Sequence, residues 1–152
     1  MSHIVIKNTR SIGRGVFIAE RVCEGQTIFV MSGYLIKDRE RAVKLNCTSQ
    51  IGKNIWLYPS SPGRYLNHSC NPNAILKNGI KLISIKQINP GEEVTIDYST
   101  TEDDIRWSMK CCKCGSENCR KTIGSIQTLP KKQFNKYRKF LPKFLQEAYL
   151  KK

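Results

Sequence analysis

Four of the seven cysteines in this 152-residue chain lie within nine residues, at Cys111, Cys112, Cys114 and Cys119. Cys112, Cys114 and Cys119 have a spacing that places three thiols in one turn-rich loop. Tetrahedral zinc takes four ligands, so a fourth is expected from elsewhere, and Cys70 is the natural candidate. The alternative that Cys111 replaces Cys112 as a ligand stays open. The spacing predicts a zinc site, because the alternative, a dense set of free surface thiols, would oxidise readily.

A second group of reactive side chains occupies residues 67–73, with the sequence Asn-His-Ser-Cys-Asn-Pro-Asn. This run is too polar for a core strand, and taken alone it also suits a hydrogen-bonded turn. His3 is the only other histidine, and no Ser/His/Asp or Cys/His pair is evident elsewhere. The residues therefore do not predict nucleophilic catalysis.

A third group is the glycine pair Gly13 and Gly15 on either side of Arg14. Such glycines allow a tight turn or a close approach of the backbone to a ligand. The pattern lacks the third glycine and the following helix of a dinucleotide site, so a Rossmann fold is not predicted.

Short strands are expected to position these groups. β-Branched and aromatic residues predict strands at residues 3–7, 15–19, 27–31, 74–76, 81–85 and 92–98, with turns between them. Six to eight short strands are expected before residue 100, together with one charged helical turn over residues 38–44 and no long helix. The predicted fold class is mainly β.

The last 23 residues have a different character. Apolar side chains at 134, 137 and 141, and again at 144, 145, 148 and 149, predict two short amphipathic helices, each beginning near a proline. This tail, residues 130–152, carries eight Lys or Arg residues and one acidic residue, Glu147. It therefore holds half of the chain's net charge.

Composition limits the class of protein further. The formal net charge of +14 predicts acidic partners such as nucleic acid, whereas 39% hydrophobic residues suit a folded domain. The sequence contains neither a membrane-length apolar run nor a secretory signal, so an intracellular location, cytoplasmic or nuclear, without membrane contact is expected. The isolated Cys23 and Cys47 are expected to be ordinary buried thiols.

Four segments, in this order along the chain, resemble the motifs of one protein family. They are GRGVF at 13–17, RYLNHSCNPNA at 64–74, GEEVTIDY at 91–98 and CKCGSENCRKTIG at 112–124. Together they resemble the SET-domain protein lysine methyltransferases with a post-SET zinc loop, over about residues 3–124. The resemblance implies a SET-domain fold of short curved sheets with a knot-like C-terminal crossing. It also implies a SET domain at 1–108, a post-SET zinc loop at 109–125 and a short α-helical basic C-terminal tail at 126–152.

The same resemblance assigns a cofactor site for S-adenosylmethionine, the methyl donor. Arg14 and Gly15 match the backbone that lines its methionine part, Asn67 and His68 match the pair at its adenine end, and Arg64 matches an arginine close to it. The substrate lysine would enter from the opposite side through a narrow channel.

Three residues are assigned to that channel by resemblance. Tyr98 matches the catalytic tyrosine whose hydroxyl orients the amine, and Tyr65 and Ile96 match positions that shape the channel. Direct displacement needs a neutral, aligned amine more than an acid or base, which agrees with the lack of an acid–base pair. Because Ile96 is smaller than an aromatic ring and has no hydroxyl, di- or trimethylation is implied.

The resemblance also implies one structural zinc ion, held by Cys70, Cys112, Cys114 and Cys119 with no open position. Two features depart from the family pattern. No cysteine-rich segment precedes the motifs, and the insert between Gly33 and Pro59 is short, which removes much of the surface that usually selects substrate. The substrate, a histone or another basic protein, therefore does not carry over.

Two alternatives to an active methyltransferase remain. One is a catalytically weak SET-like binding module that its basic tail recruits to nucleic acid or chromatin. The other is a zinc-dependent nucleic-acid-binding protein, which would need a basic stripe beside stacking aromatics such as Phe134, Tyr137 and Phe140.

Overall fold

The structure is a computed structural model that describes residues 3–9, 13–45 and 47–151, and most of its regular structure is short strands. The described residues form twelve strands: β1 (Ile4–Asn8), β2 (Arg14–Ile18), β3 (Thr27–Val30), β4 (Gly33–Ile36), β5 (Ser49–Gly52), β6 (Ile55–Pro59), β7 (Asn67–His68), β8 (Ala74–Lys77), β9 (Lys81–Ser84), β10 (Glu93–Ile96), β11 (Ser108–Met109) and β12 (Ile123–Gly124). The mainly β class is confirmed.

These strands form four small sheets, with the orders β1-β2-β10-β7, β3-β9-β8, β4-β6-β5 and β11-β12. In the first sheet β10 pairs antiparallel with β2 and parallel with β7. The parallel register places Thr95 opposite Asn67 and Ile96 opposite His68. One sheet therefore brings together three of the four motif segments, those at 13–17, 64–74 and 91–98.

Ten strands precede residue 100 among the described residues, more than the six to eight predicted. The prediction did not identify the β4-β6-β5 sheet, because three of the four β4 residues are exposed and the strand shows no alternation of buried and exposed positions. It also did not expect β7, since Asn67 and His68 are polar. His68 is nevertheless only 6% exposed, and the long-range pairing with β10 accounts for this burial.

Three α-helices complete the described structure: α1 (Arg39–Leu45), α2 (Lys131–Tyr137) and α3 (Lys143–Leu150). Helix α1 confirms the charged helical turn. Helices α2 and α3 confirm the two tail helices, and each follows a proline, Pro130 and Pro142. None of the helices in the described part of the chain has the length and apolarity that crossing a bilayer requires.

Two hydrophobic cores organise the molecule. The larger one lies among the first three sheets and includes Val16, Leu82 and Ile96. The second lies between the tail and the β8–β9 hairpin, and it contains Ile75, Ile85, Ile126, Leu129, Phe134, Tyr137, Leu141, Leu145 and Tyr149. The apolar side of the tail is therefore part of the folded core, and fully burying each large side chain contributes roughly 1.5–3 kcal/mol.

The prediction that Cys23 and Cys47 are buried is wrong, because both thiols are exposed. Cys23 follows Val22, which is fully buried and bridges to Ile88, so the next side chain points outward. Cys47 lies in the loop between α1 and β5, where it lines a cavity described below.

Candidate active site and metal centre

Tyr98 lies at the start of a 3-10 turn, Tyr98–Thr100, directly after β10. The Asp97 carboxylate caps this turn by accepting a hydrogen bond of 3.0 Å from the Ser99 backbone N–H. The Tyr98 hydroxyl donates a 2.7 Å hydrogen bond to the carbonyl oxygen of Leu66. Burial, together with the nearby Cys47 and Glu93, raises the pKa of Tyr98 to about 12. The phenol is therefore neutral at physiological pH, and its oxygen lone pairs can still accept a hydrogen bond.

Tyr98 lines a cavity of about 390 Å³, whose volume lies in the range of ligand pockets. Ile96 and Arg64 line the same cavity, together with Glu102 and Trp107. Residues of the short 33–59 insert form a further wall: Ala42, Val43, Cys47, Thr48 and Ser49. The insert therefore helps to enclose the predicted catalytic tyrosine in spite of its length.

A second cavity, of about 440 Å³, is lined by Asn67 and His68. Phe17, Glu93, Thr95, Lys7 and Lys113 also border it. Thr95 faces this cavity and Ile96 faces the cavity of Tyr98, because successive side chains of a strand point to opposite faces. The two cavities thus lie on opposite faces of β10.

Arg14 and Gly15 of β2 lie next to Asn67. The Asn67 amide donates hydrogen bonds to the Arg14 carbonyl oxygen at 3.0 Å and to Glu93 Oε1 at 2.7 Å. A Cβ atom at Gly15 would collide with the Glu93 carboxylate, so a larger residue there would force the Glu93 side chain to move. The Arg14 guanidinium stacks on the Tyr65 ring, 4.3 Å from its centroid.

Two predicted site residues have neighbours other than those expected from the resemblance. Tyr65, expected in the lysine channel, packs against Arg14 and the larger core. Arg64, expected near the cofactor, lines the cavity of Tyr98, and its Nε donates to the Pro59 carbonyl oxygen at 3.3 Å.

Three of the four predicted metal ligands, Cys70, Cys112 and Cys114, come together beside the second cavity, and His68 lies with them. The sulfur atoms of Cys70, Cys112 and Cys114 and a ring nitrogen of His68 all lie within 4.8 Å of one another. Cys119 packs in the same buried cluster, and its thiol donates to the Cys112 carbonyl oxygen at 3.5 Å. Cys112 is buried in this cluster, whereas its neighbour Cys111 is exposed.

His68 carries its proton on Nε2. The Tyr98 backbone N–H donates to His68 Nδ1 at 3.1 Å, so this nitrogen is the acceptor of a neutral imidazole. The pKa of His68 is lowered to about 4, because the effect of burial is larger than the raising effect of the Asp97 charge. In this tautomer Nε2 lies 3.3 Å from Cys70 Sγ and can donate a hydrogen bond to the sulfur.

The clustered thiols differ in acidity, because burial raises the pKa of Cys70 and raises that of Cys112 to about 12. Burial alone would raise the pKa of Cys114. Hydrogen bonds with the Ser116 side chain and with the backbone of Cys70 and Ser116 have the larger combined effect and lower this pKa to about 6. Zinc binds thiolates at tetrahedral sites, and three thiols with a fourth close by match this donor chemistry.

Arg120 is a site residue that the sequence reasoning missed. Its Nη2 forms an ion pair with Asp97 Oδ1 at 2.6 Å, and its Nη1 donates to Ser99 Oγ at 3.2 Å. Its backbone N–H lies 3.4 Å from Cys70 Sγ. Arg120 therefore joins the turn of Tyr98 to the cysteine cluster, and its position directly after Cys119 is the one signal that could have indicated it.

Sequence comparison finds relatives that are named histone-lysine N-methyltransferases. Histone-lysine N-methyltransferase ASHR3 of Arabidopsis thaliana is 28% identical over 149 residues, which cover 84% of this chain and 29% of that protein. Human histone-lysine N-methyltransferase SETD1B is 42% identical over 67 residues, which cover 40% of this chain and 3% of that protein. The chain thus spans less than a third of the length of these relatives.

Solved structures share the fold. A humanized mutant of the Chaetomium thermophilum Polycomb Repressive Complex 2, bound to the inhibitor GSK126, superposes with a TM-score of 0.58 at 25% identity, over 68% of this chain and 16% of that chain. A second structure of that complex, autoinhibited and bound to S-adenosylmethionine, has a TM-score of 0.57 at 22% identity, with the same coverage. A family model described as the SET domain matches residues 13–99, more than half of the chain. The chain therefore belongs to the SET domain family.

Proposed function

We propose that the chain is an S-adenosylmethionine-dependent protein-lysine N-methyltransferase. The observation that carries this proposal is the position of Tyr98. Its neutral hydroxyl lines one cavity, and its backbone N–H is bonded to His68, which lines the cavity on the opposite face of β10. Relatives of this family that are named histone-lysine N-methyltransferases support the same activity.

The chemistry of the second cavity fits the methyl donor. The Phe17 ring, with the Lys7 ammonium 5.5 Å from its centroid, offers an apolar face for a base. Lys7 and Glu93 offer charges that complement a carboxylate and an ammonium group. We assign Asn67, His68, Arg14 and Gly15 to its binding, but not Arg64, which lines the cavity of Tyr98 on the opposite face of β10. When bound, S-adenosylmethionine supplies an electrophilic methyl group on a positively charged sulfur.

The residues around Tyr98 prepare the substrate amine. Enclosure by apolar side chains such as Ile96, Leu66 and Met31 disfavours a charged ammonium and so lowers the pKa of a lysine held there. The Tyr98 hydroxyl, fixed by Leu66, accepts a hydrogen bond from the neutral amine and aligns its lone pair. Positioning and desolvation are therefore the contributions of this chain to catalysis.

We further propose that the product is di- or trimethyl-lysine. Ile96 lines the cavity of Tyr98 and has no hydroxyl that could hold a water molecule against the amine. The methylated amine can therefore rotate and present its lone pair again.

One structural zinc ion is proposed, bound by Cys70, Cys112, Cys114 and Cys119. The hydrogen bond that His68 Nδ1 accepts from the Tyr98 backbone N–H supports a role for His68 outside this ligand set, as a hydrogen-bond donor to the Cys70 thiolate. Four thiolates leave no open position, so the ion would hold the loop of β7 against the C-terminal loop.

The basic tail is proposed to contact a polyanionic partner, nucleic acid or chromatin. The same proposal includes an intracellular location, cytoplasmic or nuclear. It also includes a histone or another basic protein as the substrate. They rest on the charge of the chain and on the names of its relatives.

Incubation with radiolabelled S-adenosylmethionine and a cell extract tests the activity. Transfer of label to a lysine, identified by mass spectrometry and lost in Tyr98→Phe, is the expected result. Cofactor binding without transfer to any protein would overturn the proposed activity and indicate the SET-like binding module instead.

A further inference from the structure

The tail and the β8–β9 hairpin form one continuous surface. Ile75 of β8 and Ile85, just beyond β9, belong to the same core as the tail aromatics. Because alternate residues of a strand share a face, Lys77 projects from the same side of β8 as Ile75. Lys81 pairs directly with Lys77 across the hairpin. The hairpin lysines therefore border the tail.

This combined surface is almost free of acidic residues. Between residues 70 and 91 the chain has three lysines, at 77, 81 and 86, and no Asp or Glu. Residues 130–152 have eight basic residues and only Glu147 as an acid. Most of the net charge of +14 thus lies on two segments that fold against each other.

Several of these cations are held close together. Like charges directly opposite on adjacent strands destabilise a hairpin, and Lys77 and Lys81 are such a pair. The Asn78 backbone N–H at the hairpin tip donates to the Phe140 carbonyl oxygen at 2.9 Å, which places the tip beside Arg138 and Lys139. Such an arrangement costs stability in the free protein, and an external anion would relieve it.

The two segments also meet along β9. Lys86 follows β9 and donates to Asn71 Oδ1 at 2.6 Å, so its ammonium group has a fixed position. Burial, and then the positive charge of Lys136 on α2, lower the pKa of Lys86.

The apolar groups of the tail show which kind of polyanion fits. Phe134 and Tyr149 stack on each other with ring centroids 3.6 Å apart, and they are 2% and 6% exposed. Tyr137 is buried as well, and Phe140 is partly buried against the same core, with the Lys139 ammonium 5.0 Å from its ring centroid. Unpaired bases need exposed aromatic faces for stacking, and these rings are occupied. Leu150 is the one large apolar side chain that the described part of the tail exposes, which is too little for insertion into a membrane.

We propose that the β8–β9 hairpin and the tail together form a binding surface for the phosphate backbone of duplex nucleic acid, without sequence preference. Lys77, Lys81 and Lys86 supply the hairpin part, and the exposed tail cations supply the remainder: Lys131, Lys132, Lys136, Arg138, Lys139, Lys143 and Lys151. This inference rests on the proposed polyanion contact of the tail and is independent of methyl transfer.

The test uses the double variant Lys77→Gln/Lys81→Gln in the full chain. Fluorescence anisotropy measures its binding to a DNA duplex of about 25 base pairs and to a single strand of equal length, at several salt concentrations. Loss of two phosphate contacts should weaken duplex binding on the order of tenfold and reduce the slope of log affinity against log salt by about 1.8. The unmodified chain should prefer the duplex.

A matched control removes the same charge elsewhere. Lys37→Gln/Lys44→Gln changes two exposed lysines in the part of the chain that packs around Ile36, Ala42 and Trp56. It should keep the duplex affinity within about a factor of two and leave the salt slope unchanged. Thermal unfolding shows whether misfolding causes the weaker binding of the double variant. A folded variant should have a Tm about 1–3 °C higher, because the Lys77–Lys81 repulsion is removed.

Three results would overturn the proposal. An unchanged salt slope in Lys77→Gln/Lys81→Gln would limit the contact to the tail and leave the proposed polyanion contact standing. Stronger binding of the single strand would indicate base stacking. Binding to vesicles of anionic lipid without any duplex binding would mean that the surface serves a membrane. Failure of methyl transfer in a separate assay would not affect any of these readings.

Discussion

At the scale of single residues, the hydroxyl of Tyr98 has the most specific expected role. It donates to the Leu66 carbonyl oxygen and lines the cavity of Ile96 and Arg64. Tyr98→Phe removes this one atom and keeps the ring. Methyl transfer should fall on the order of 100-fold, because the group that aligns the amine is lost. The initial rate under saturating cofactor measures the effect.

The matched control is Tyr34→Phe, which removes the same atom from an exposed strand residue. It should leave the rate unchanged. Cofactor affinity, measured by titration calorimetry, should be similar in both variants, and an unaltered rate in Tyr98→Phe would remove the hydroxyl from the mechanism.

Ile96 is expected to set the number of methyl groups that are added. Ile96→Tyr introduces an aromatic ring and a hydroxyl into the same cavity, so the amine loses the space to turn after the first transfer. The product should shift from di- or trimethyl-lysine to monomethyl-lysine, while the first transfer continues. Mass spectrometry of a modified substrate under excess cofactor measures this shift. A strictly monomethylated product from the unmodified chain would contradict the role of Ile96.

The ligand set of the metal centre is testable through the choice between Cys119 and His68. Elemental analysis should find one zinc ion per chain. Cys119→Ser should lower this value strongly, whereas His68→Gln should retain most of the metal, because Nε2 carries a proton and faces Cys70. Cys111→Ser is the matched control and should keep the full content. Loss of zinc in His68→Gln together with retention in Cys119→Ser would reverse the assignment.

At the scale of elements, the close pairing of β2 and β10 depends on Gly15. Gly15→Ala would place a methyl group against the Glu93 carboxylate and force it away from its 2.7 Å hydrogen bond with Asn67. The variant should lose about 1–3 kcal/mol of unfolding free energy and bind the cofactor more weakly. Urea unfolding and a binding titration measure the two effects.

Gly52→Ala provides the control, since a methyl group there would make only ordinary contacts of 3.6 Å with Ile55. It should behave like the unmodified chain in both measurements. Equal cofactor affinity in Gly15→Ala and Gly52→Ala would mean that the contact with Asn67 does not shape the cofactor cavity.

The elements differ in how well the sequence predicts them. Strands β1, β2, β3, β8, β9 and β10 lie within about two residues of their predicted positions, because β-branched runs bounded by turn residues are a local signal. Strand β7 was missed because its polar residues Asn67 and His68 are stabilised by a partner almost thirty residues away. Arg120 was missed for the same reason, since its partners Asp97 and Ser99 are more than twenty residues distant in sequence.

The cysteines show the limit of reasoning from spacing. Their sequence pattern indicated a metal site, and the structure does bring Cys70 to Cys112 and Cys114 across more than forty residues. Burial of an isolated cysteine, by contrast, depends on the face that its backbone presents. Spacing holds no information about that face, and the expectation for Cys23 and Cys47 was therefore wrong.

At the scale of the whole molecule, the tail combines two roles that sequence patterning alone does not separate. Its apolar side completes the second core with Ile75 and Ile85, while its basic side faces solvent. The motif resemblance ends near residue 124, so the sequence alone indicates that the tail is an appendage outside the domain. In the structure it covers one face of the β8–β9 hairpin, whose other face packs into the larger core.

Deletion of residues 130–152 should therefore unfold or aggregate the protein rather than only weaken polyanion binding. It would expose Ile75, Ile85 and Leu129 and remove five large buried side chains: Phe134, Tyr137, Leu141, Leu145 and Tyr149. At roughly 1.5–3 kcal/mol for each, their combined loss is comparable with the 5–15 kcal/mol that typically stabilises a domain. Thermal unfolding and light scattering of the truncated chain measure this outcome. Lys132→Gln/Lys139→Gln, which retains the apolar side, should keep the Tm within about 2 °C. A truncated chain that remains monomeric with an unchanged Tm would show that the second core is dispensable, and the tail would then be a separate basic arm.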